Sequence, residues 1–362
     1  MTKTTITKCM ILSSLLLPIV PAISHAADQV AADQVAADQE EPVVKEAKPS
    51  QTVETLIQEE HVLFDRRLSL DVGLTYSQFD RKQLALNGFL ALDAIFLGNI
   101  SVDEVEANVL TMDVTGRYGI TPRLQVDFNA PFLYRSTTYR STDVGGDAVE
   151  EDITLDPELA DVSAGIYYQL LKERPGRPDV VWNLRVKAPT GSDPYGIETH
   201  NVTGTGLQNI PDELSSGNGV WAVSTGFSFM KTLDPAILFA NLGYFYNVPK
   251  SFADISPSAA GDQPGEVNLG NSIQYSLGIA FALNERLSLN MSYAQRFTNE
   301  SEVTYDGGET TTIVGSDANA ATMNFGVTCA MSDHLSMVTN VGAGLTTDAP
   351  DVQFAIKFPY NF

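Results

Sequence analysis

From Leu68 onward, apolar and polar residues alternate along the chain with a period of two. In the first such segment the apolar positions are Leu68, Leu70, Val72, Leu74 and Tyr76. Because successive side chains of a strand point to opposite faces, this period predicts strands with one apolar and one polar face. Twelve segments share the pattern: 67–79, 108–119, 123–136, 159–171, 179–190, 218–232, 236–248, 271–283, 286–298, 319–331, 335–346 and 351–362.

The connections between these segments alternate between short and long. The short turns are 119–122, 172–178, 233–235, 284–285 and 332–334. The long connections are 80–107, 137–158, 191–217, 249–270 and 299–318, and only the last outer connection, 347–350, is brief. A soluble β-sandwich also alternates apolar and polar residues, but short inner turns and long outer loops are typical of outer-membrane barrels. We therefore predict an all-β fold, a twelve-stranded antiparallel transmembrane β-barrel over residues 67–362.

Three prolines lie within or at the end of predicted strands. They are Pro131, Pro189 and Pro359. Each proline removes a backbone donor from the strand ladder, and a closed barrel has no free edge to hold it. We expect a strand end or a bulge at each of them.

Residues 51–66 have helical rather than strand periodicity. Val53, Leu56, Ile57 and Phe64 share one face of the predicted helix. A single amphipathic helix must dock on another element to bury such a face. It could lie on the surface of the domain, or it could sit inside the barrel as a plug, and the spacing does not decide between them.

The first 50 residues predict export from the cytoplasm. Lys3 and Lys8 precede a short apolar core, and small residues flank a cleavage site that we place after Ala26, which makes 1–26 a signal peptide. Residues 27–50 repeat Ala-Ala-Asp-Gln and hold no aromatic residue, which predicts a disordered periplasmic leader. A short coiled coil is the alternative, although the repeat has a period of five and not seven. The expected location is the outer membrane of a Gram-negative cell.

Charge and composition exclude several classes of protein. The 362 residues include 22 Lys and Arg against 45 Asp and Glu, a net charge of −23. With no basic excess to neutralise phosphates, nucleic acid is not an expected partner. Outside the signal peptide, the histidines are His61, His200 and His334, in three separate regions. No catalytic grouping and no metal-ligand spacing is present in the sequence, so we expect no enzyme activity, no metal and no cofactor.

The alternation also predicts which charged residues point into the barrel. These lumen-lining residues are Asp71, Asp113, Arg117, Asp127, Arg185, Lys187 and Lys357. They could pair with one another and make a small barrel rigid, or they could line a polar, wet conduit. Barrels of twelve strands fall between those filled by side chains and open porins.

The last strand carries aromatic residues at alternate positions. Phe358, Tyr360 and Phe362 resemble the signal that the outer-membrane assembly machinery recognises. We therefore expect that machinery and the lipid of the outer membrane as partners.

Several further segments carry a resemblance to a known family. They are Gln83–Ile100, Val114–Tyr118, Arg185–Gly191, Gly217–Trp221, Phe281–Arg286, Ser316–Asn319 and Phe358–Phe362. In this order, over roughly residues 53–362, the chain resembles the outer-membrane secretion channels of functional amyloid (Fap) systems. More loosely it resembles outer-membrane proteins linked to the meta-pathway of phenol degradation.

The closer resemblance implies a gated channel that exports unfolded amyloid-forming polypeptides. In this view 53–64 is the plug and Gln83–Ile100 folds over or into the barrel. That family also trimerises through a long periplasmic coiled coil, so a homotrimer is implied, although here only the short Ala-Ala-Asp-Gln leader precedes the helix. The alternative function is passive uptake of small aromatic or hydrophobic solutes, with the apolar segment 84–96 as a capture surface. A third alternative is a largely structural barrel whose acidic loops contact the envelope.

Overall fold

A computed structural model describes most of the chain that follows the leader. The described residues are 54–55, 57–58, 61–62, 64, 68–82, 86–91, 94–100, 104–142, 148–202, 207, 209–256 and 261–362. The predicted signal peptide, the predicted leader, and Val53 and Leu56 of the predicted helix lie outside them. Within this part of the chain, no helix is both long and apolar enough to cross a membrane.

The described residues form strands in the following order. They are β1 (Leu68–Lys82), β2 (Leu86–Ala91), β3 (Ala94–Ile100), β4 (Glu104–Thr121), β5 (Leu124–Thr142), β6 (Ala148–Leu159), β7 (Ser163–Leu171), β8 (Asp179–Lys187), β9 (Thr199–His200), β10 (Ile210–Pro211), β11 (Ala222–Leu233), β12 (Ala236–Asn247), β13 (Lys250–Phe252), β14 (Gly265–Asn268), β15 (Ser272–Asn284), β16 (Leu287–Thr298), β17 (Ser301–Tyr305), β18 (Thr310–Ile313), β19 (Ala318–Ala330), β20 (Ser336–Gly344) and β21 (Val352–Asn361).

Twelve of these strands close into one antiparallel barrel. Its circular order is β1, β4, β5, β7, β8, β11, β12, β15, β16, β19, β20 and β21. The last strand returns to the first through pairs from Ser69 with Asn361 to Gln78 with Val352. The predicted fold class, a twelve-stranded antiparallel barrel, is confirmed.

The two faces of the barrel wall differ as the alternation predicts. Along β1, Leu68, Leu70 and Leu74 are exposed on the outer face, whereas Ser69 and Asp71 are buried on the inner face. Apolar side chains on the outside of a barrel meet lipid, while inward polar side chains need water or one another. This sequence therefore folds with its polar face enclosed.

The barrel has two different mouths. The short turns and both ends of the barrel chain lie at one mouth, here called the turn end. The opposite mouth, the loop end, carries the long connections, and these are richer in strands than the sequence predicts. There β2 and β3 form a hairpin, β6 extends the sheet beside β5, β9 pairs with β10, and a four-stranded sheet has the order β13, β14, β17, β18.

The loop end has an apolar core of its own. Tyr195, Val220, Ile255, Val267, Leu269, Val303 and Ile313 form one buried cluster, and Phe252 packs against it. A second cluster contains Tyr139, Ile153, Leu207, Ile210 and Leu214. Residues 86–91 and 94–100 of the apolar segment form the β2–β3 hairpin, and whether this hairpin folds over or into the barrel stays a prediction.

The three prolines lie where the strand ladders are interrupted. Pro131 falls between the part of β5 that pairs with β7, up to Asn129, and the part that pairs with β6, from Phe132. Pro189 follows the end of β8. Pro359 lies beyond the regular pairing of β21 with β20, which ends at Lys357. Of the three, only Pro189 is at a strand end. Pro131 and Pro359 lie within β5 and β21, paired with Asp113 and Asp71 on one side, and the gap in the ladder is on the other side only.

Candidate functional site

The inner face of β5, β7 and β8 carries a connected group of polar side chains. Asp127, Gly165 and Arg185 lie side by side on these three neighbouring strands. Glycine is required in the middle, because a Cβ at Gly165 would lie 2.7 Å from Oδ1 of Asp127 and 3.1 Å from Nη2 of Arg185. The small residue lets a carboxylate and a guanidinium meet across an intervening strand.

Arg185 is held by several acceptors. Its Nη2 lies 2.5 Å from Oδ2 of Asp127 and donates to the hydroxyl of Tyr167 at 2.6 Å, while Nη1 donates to Oγ of Ser163 at 2.7 Å. The Tyr167 hydroxyl in turn donates to Oδ2 of Asp127 at 2.9 Å. The Asp127 side chain is only 3% exposed, against 30% for Arg185, so the carboxylate is enclosed and the guanidinium reaches into the lumen.

Other predicted lumen residues are also paired. Arg117 forms an ion pair with Asp71. Lys187 lies 3.0 Å from Oδ2 of Asp161, which is not among the predicted lumen residues. Asp161 is fixed by backbone donors as well, Gly191 N at 3.2 Å and Asn218 N at 3.3 Å.

The last two predicted lumen residues, Asp113 and Lys357, lie on either side of Gly73 of β1. Oδ1 of Asp113 accepts a hydrogen bond from Nδ2 of Asn129 at 3.2 Å. Lys357 lies opposite Gly73 of β1, and its Cγ would be 3.1 Å from a Cβ at that glycine. The structure therefore joins Asp71 with Arg117 and Asp127 with Arg185 in ion pairs, and it places Asp113 and Lys357 on either side of Gly73.

The described part of the segment 54–64 contacts the inner wall near the turn end. Thr55 Oγ1 lies 2.8 Å from Oγ of Ser336 in β20, and Gln58 Nε2 donates to Oγ of Ser69 in β1 at 2.9 Å. His61 Nε2 lies 3.1 Å from Oδ1 of Asp179 in β8. These partners belong to strands on different sides of the barrel, which places these three side chains within it.

The same segment has an apolar contact. Ile57 packs against the cluster of Met230, Ile237, Phe239 and Ala280 on β11, β12 and β15. Residues 54, 55, 57 and 58 have helical backbone, and the N–H of His61 donates to the carbonyl of Ile57 at 2.8 Å. Phe64 is partly buried. A helix over the whole of 53–64, and its role as a plug, stay predictions.

Two cavities lie along the inner wall. The lower cavity, of about 260 Å³, is lined by Gln58, His61, Thr115, Arg117, Gln125, Asp127, Asn129, Tyr167 and Arg185. The upper cavity, of about 160 Å³, lies towards the loop end and is lined by Ser163, Arg185, Lys187, Asn218, Ala222, Ser224, Phe245, Asn247, Leu269, Gly270, Ser272, Arg296, Thr298 and Ser301. Arg185 lines both, so the two cavities approach each other at this side chain.

The aromatic residues of the last strand lie on the outer face. Phe358 and Tyr360 are partly exposed, and the rings of Tyr360 and Phe362 meet edge to face at 4.9 Å between centroids. Their role as an assembly signal stays a prediction. Among the described residues, no group of three or more His, Cys, Asp or Glu side chains is placed to hold a metal ion.

Comparison with known proteins supports the architecture. No family model matches the chain. The fold is similar to that of an outer membrane channel from Pseudomonas putida F1, with a TM-score of 0.51, 15% identity, and coverage of 81% of this chain and 96% of that one. The transport unit of an Escherichia coli autotransporter (TM-score 0.41, 10% identity, 86% and 98% covered) and the toluene transporter of Ralstonia pickettii (0.39, 11%, 83% and 90%) superpose more loosely. At such identities the likeness shows the fold alone, and the kinship with amyloid secretion channels stays a prediction.

Proposed function

We propose that the protein is a passive outer-membrane channel for small hydrophobic solutes, including aromatic ones. The observation that carries the proposal is the pair of cavities inside a closed barrel, both of which Arg185 lines. A barrel packed solid with side chains would serve a structural role, whereas cavities on one inner wall offer space for a solute. The Pseudomonas putida protein of similar fold is itself described as an outer membrane channel.

The apolar loop end supports a hydrophobic solute. The cluster that includes Tyr195, Val220 and Leu269 lies at this mouth, and Leu269 also lines the upper cavity. A hydrophobic molecule that leaves water gains about 25 cal/mol for each Å² of apolar surface that it buries. The cluster itself is buried, so the apolar surface that a solute could cover near this mouth is mainly the ring of Phe245 in the lining of the upper cavity.

The segment 51–66 would act as the gate of this channel. Its described residues are held by single contacts to several strands, such as Thr55 with Ser336 and Gln58 with Ser69. A typical hydrogen bond contributes only about 0.5–1.5 kcal/mol net, so a few such bonds can be broken without unfolding the barrel. A gate of this kind would open by moving away from the wall.

Export of unfolded amyloid subunits, which the sequence resemblance implies, gains no support from the described residues. Cavities of about 260 and 160 Å³ are of small-molecule size. An unfolded polypeptide would need both the segment 51–66 and the loop-end cluster to move aside. Uptake of a small solute would require a smaller displacement of the segment and the cluster than passage of an unfolded polypeptide.

A deletion strain of the native host separates the two functions. We expect loss of the protein to lower the initial rate of uptake of labelled toluene and to leave extracellular amyloid, measured by Congo red binding, unchanged. Complementation with the full chain should restore uptake. Normal uptake together with lost amyloid would overturn the proposal in favour of export.

A further inference from the structure

Asp179, the first residue of β8, is a buried carboxylate of the barrel wall, only 5% exposed. Its Oδ2 accepts hydrogen bonds from Nε2 of Gln169 at 2.6 Å and from the backbone N–H of Glu173 at 3.3 Å. Both donors are neutral, so they orient the carboxylate without balancing its charge. A buried carboxylate with no cation beside it carries a large desolvation cost.

Among the described residues, the only basic side chain within ion-pair distance of Asp179 is His61 of the segment 51–66. The Nε2 atom of His61 lies 3.1 Å from Oδ1 of Asp179, and the His61 side chain is 1% exposed in this position. A protonated imidazole balances the carboxylate, whereas a neutral imidazole leaves a buried net negative charge. The charge state of His61 therefore affects how well the segment docks on the inner wall.

The other described contacts between the segment and the wall involve neutral groups. Thr55 Oγ1 lies beside Oγ of Ser336, and Gln58 donates to Oγ of Ser69. Ile57 makes an apolar contact with the cluster on β11, β12 and β15. Hydroxyl, amide and aliphatic side chains do not change charge near neutral pH. Any response of docking to pH is therefore concentrated at His61.

The remaining charged groups around His61 are held by partners of opposite sign. His61 shares the lining of the lower cavity with the titratable residues Arg117, Asp127, Tyr167 and Arg185. Arg117 is paired with Asp71, and Arg185 is paired with Asp127, so the two arginines add little net positive charge to oppose protonation of His61. Beside Asp179, the carboxylate of Glu173 is paired with Lys231 at 2.9 Å.

We propose that His61 and Asp179 form a latch that holds the segment 51–66 against the inner wall in acid and releases it as the pH rises. Histidine is the side chain whose charge ordinarily changes between pH 5 and 8. A hydrogen bond with ionised groups is about twice as strong as one between neutral groups. When His61 loses its proton, the docked segment loses that attraction, and Asp179 regains hydration if the segment moves away. This inference rests on the proposed channel and its gate, and it deepens them by naming what regulates the gate.

Single-channel recording of the full chain in planar bilayers, at pH 5 and at pH 8 in the same salt, tests the latch. We expect the ratio of open to closed time to be about fivefold or more higher at the upper pH, because the charge-assisted contact is lost there. In His61→Gln, whose amide can donate a hydrogen bond but takes up no proton, the ratio should be the same at both pH values. Asp179→Asn, which removes the carboxylate, should abolish the pH dependence as well.

His334→Gln is the matched control, because His334 is an exposed histidine in the turn between β19 and β20. His200→Gln is a second control, since His200 is paired with Asp212 at the loop end. Both controls should keep the pH dependence of the parent protein. A parent protein that opens in acid, or a pH dependence that survives in both His61→Gln and Asp179→Asn, would overturn the inference.

Toluene uptake and the deletion of residues 51–65 distinguish failure of the latch from failure of the channel. If the parent protein passes toluene and the deletion raises conductance, but the parent gates equally at both pH values, only the latch is wrong. If neither the parent nor the deleted protein conducts, and toluene does not enter through either, the proposed function is wrong.

Discussion

At the scale of single residues, the inner wall depends on pairs that form across strands. Asp127 and Arg185 are 58 positions apart in sequence, yet their strands place them on either side of Gly165. A buried carboxylate without a partner carries a large desolvation cost, and the guanidinium offsets it. The pair is therefore expected to hold three strands in one register.

Gly165 provides a direct test of this geometry. In Gly165→Ala the new methyl group would lie 2.7 Å from Oδ1 of Asp127, so the ion pair must shift. We expect a loss of about 1–3 kcal/mol in the free energy of unfolding, as for other overpacked sites. Urea titration followed by intrinsic fluorescence measures it.

Gly116→Ala is the matched control. Nothing lies within 4 Å of a Cβ at Gly116, which is also a strand glycine of the barrel. Its stability should stay the same as that of the parent or rise slightly. Equal stability of the two variants would mean that the Asp127–Arg185 pair tolerates displacement and does not fix the register.

The sequence predicts the direction of these side chains but not their partners. Period-two alternation places Asp127 and Arg185 inside, and it equally places Asp161 and Asp179 inside, since they are in phase with Ser163 and Arg185 on their own segments. The alternation does not give the stagger, which is the offset that decides which residues of neighbouring strands lie opposite one another. That stagger decides that Lys187 meets Asp161, whereas the contact of His61 with Asp179 depends on how the segment 54–64 docks on the inner wall.

At the scale of elements, the barrel strands are predictable and the loop-end strands are not. A membrane strand must be apolar on one face along its whole length, so its period shows in the sequence. The strands β13, β14, β17 and β18 are three to five residues long, too short for a period to stand out. β6 was missed because it extends the sheet beyond the barrel, where no lipid-facing apolar row is needed.

The segment 51–66 is the element on which gating depends. Deletion of residues 51–65 removes the contacts of Thr55, Gln58 and His61 with the wall. We expect a higher single-channel conductance in planar bilayers, because water and ions would occupy the vacated space. Deletion of residues 27–50 leaves those contacts in place and is the control. Conductance that does not change when 51–65 is removed would exclude this segment as the gate.

At the scale of the whole molecule, the barrel combines an acidic chain with a lumen that carries both signs. The inner wall pairs Asp71 with Arg117 and Lys187 with Asp161. Because these charges are paired, the inner wall can be polar without creating a large net electric field along the lumen through which a solute would pass. A neutral hydrophobic solute can pass such a wall.

A reversible lock allows transport to be measured at constant expression. Thr55 Oγ1 and Ser336 Oγ lie 2.8 Å apart, so cysteines at these two positions are close enough to be joined. The free Cys329 is replaced by alanine in the same variant. Oxidation would tether the segment to β20, and a reducing agent would release it.

The most direct test of the channel is the initial rate of labelled toluene uptake by whole cells that carry this Thr55→Cys, Ser336→Cys variant. We expect the rate to equal that of the empty-vector strain when the disulfide is formed, and to rise to that of the parent protein after reduction. Uptake at the vector level in both states, with folded protein present in the outer membrane, would contradict the proposal that this barrel is a channel for small hydrophobic solutes.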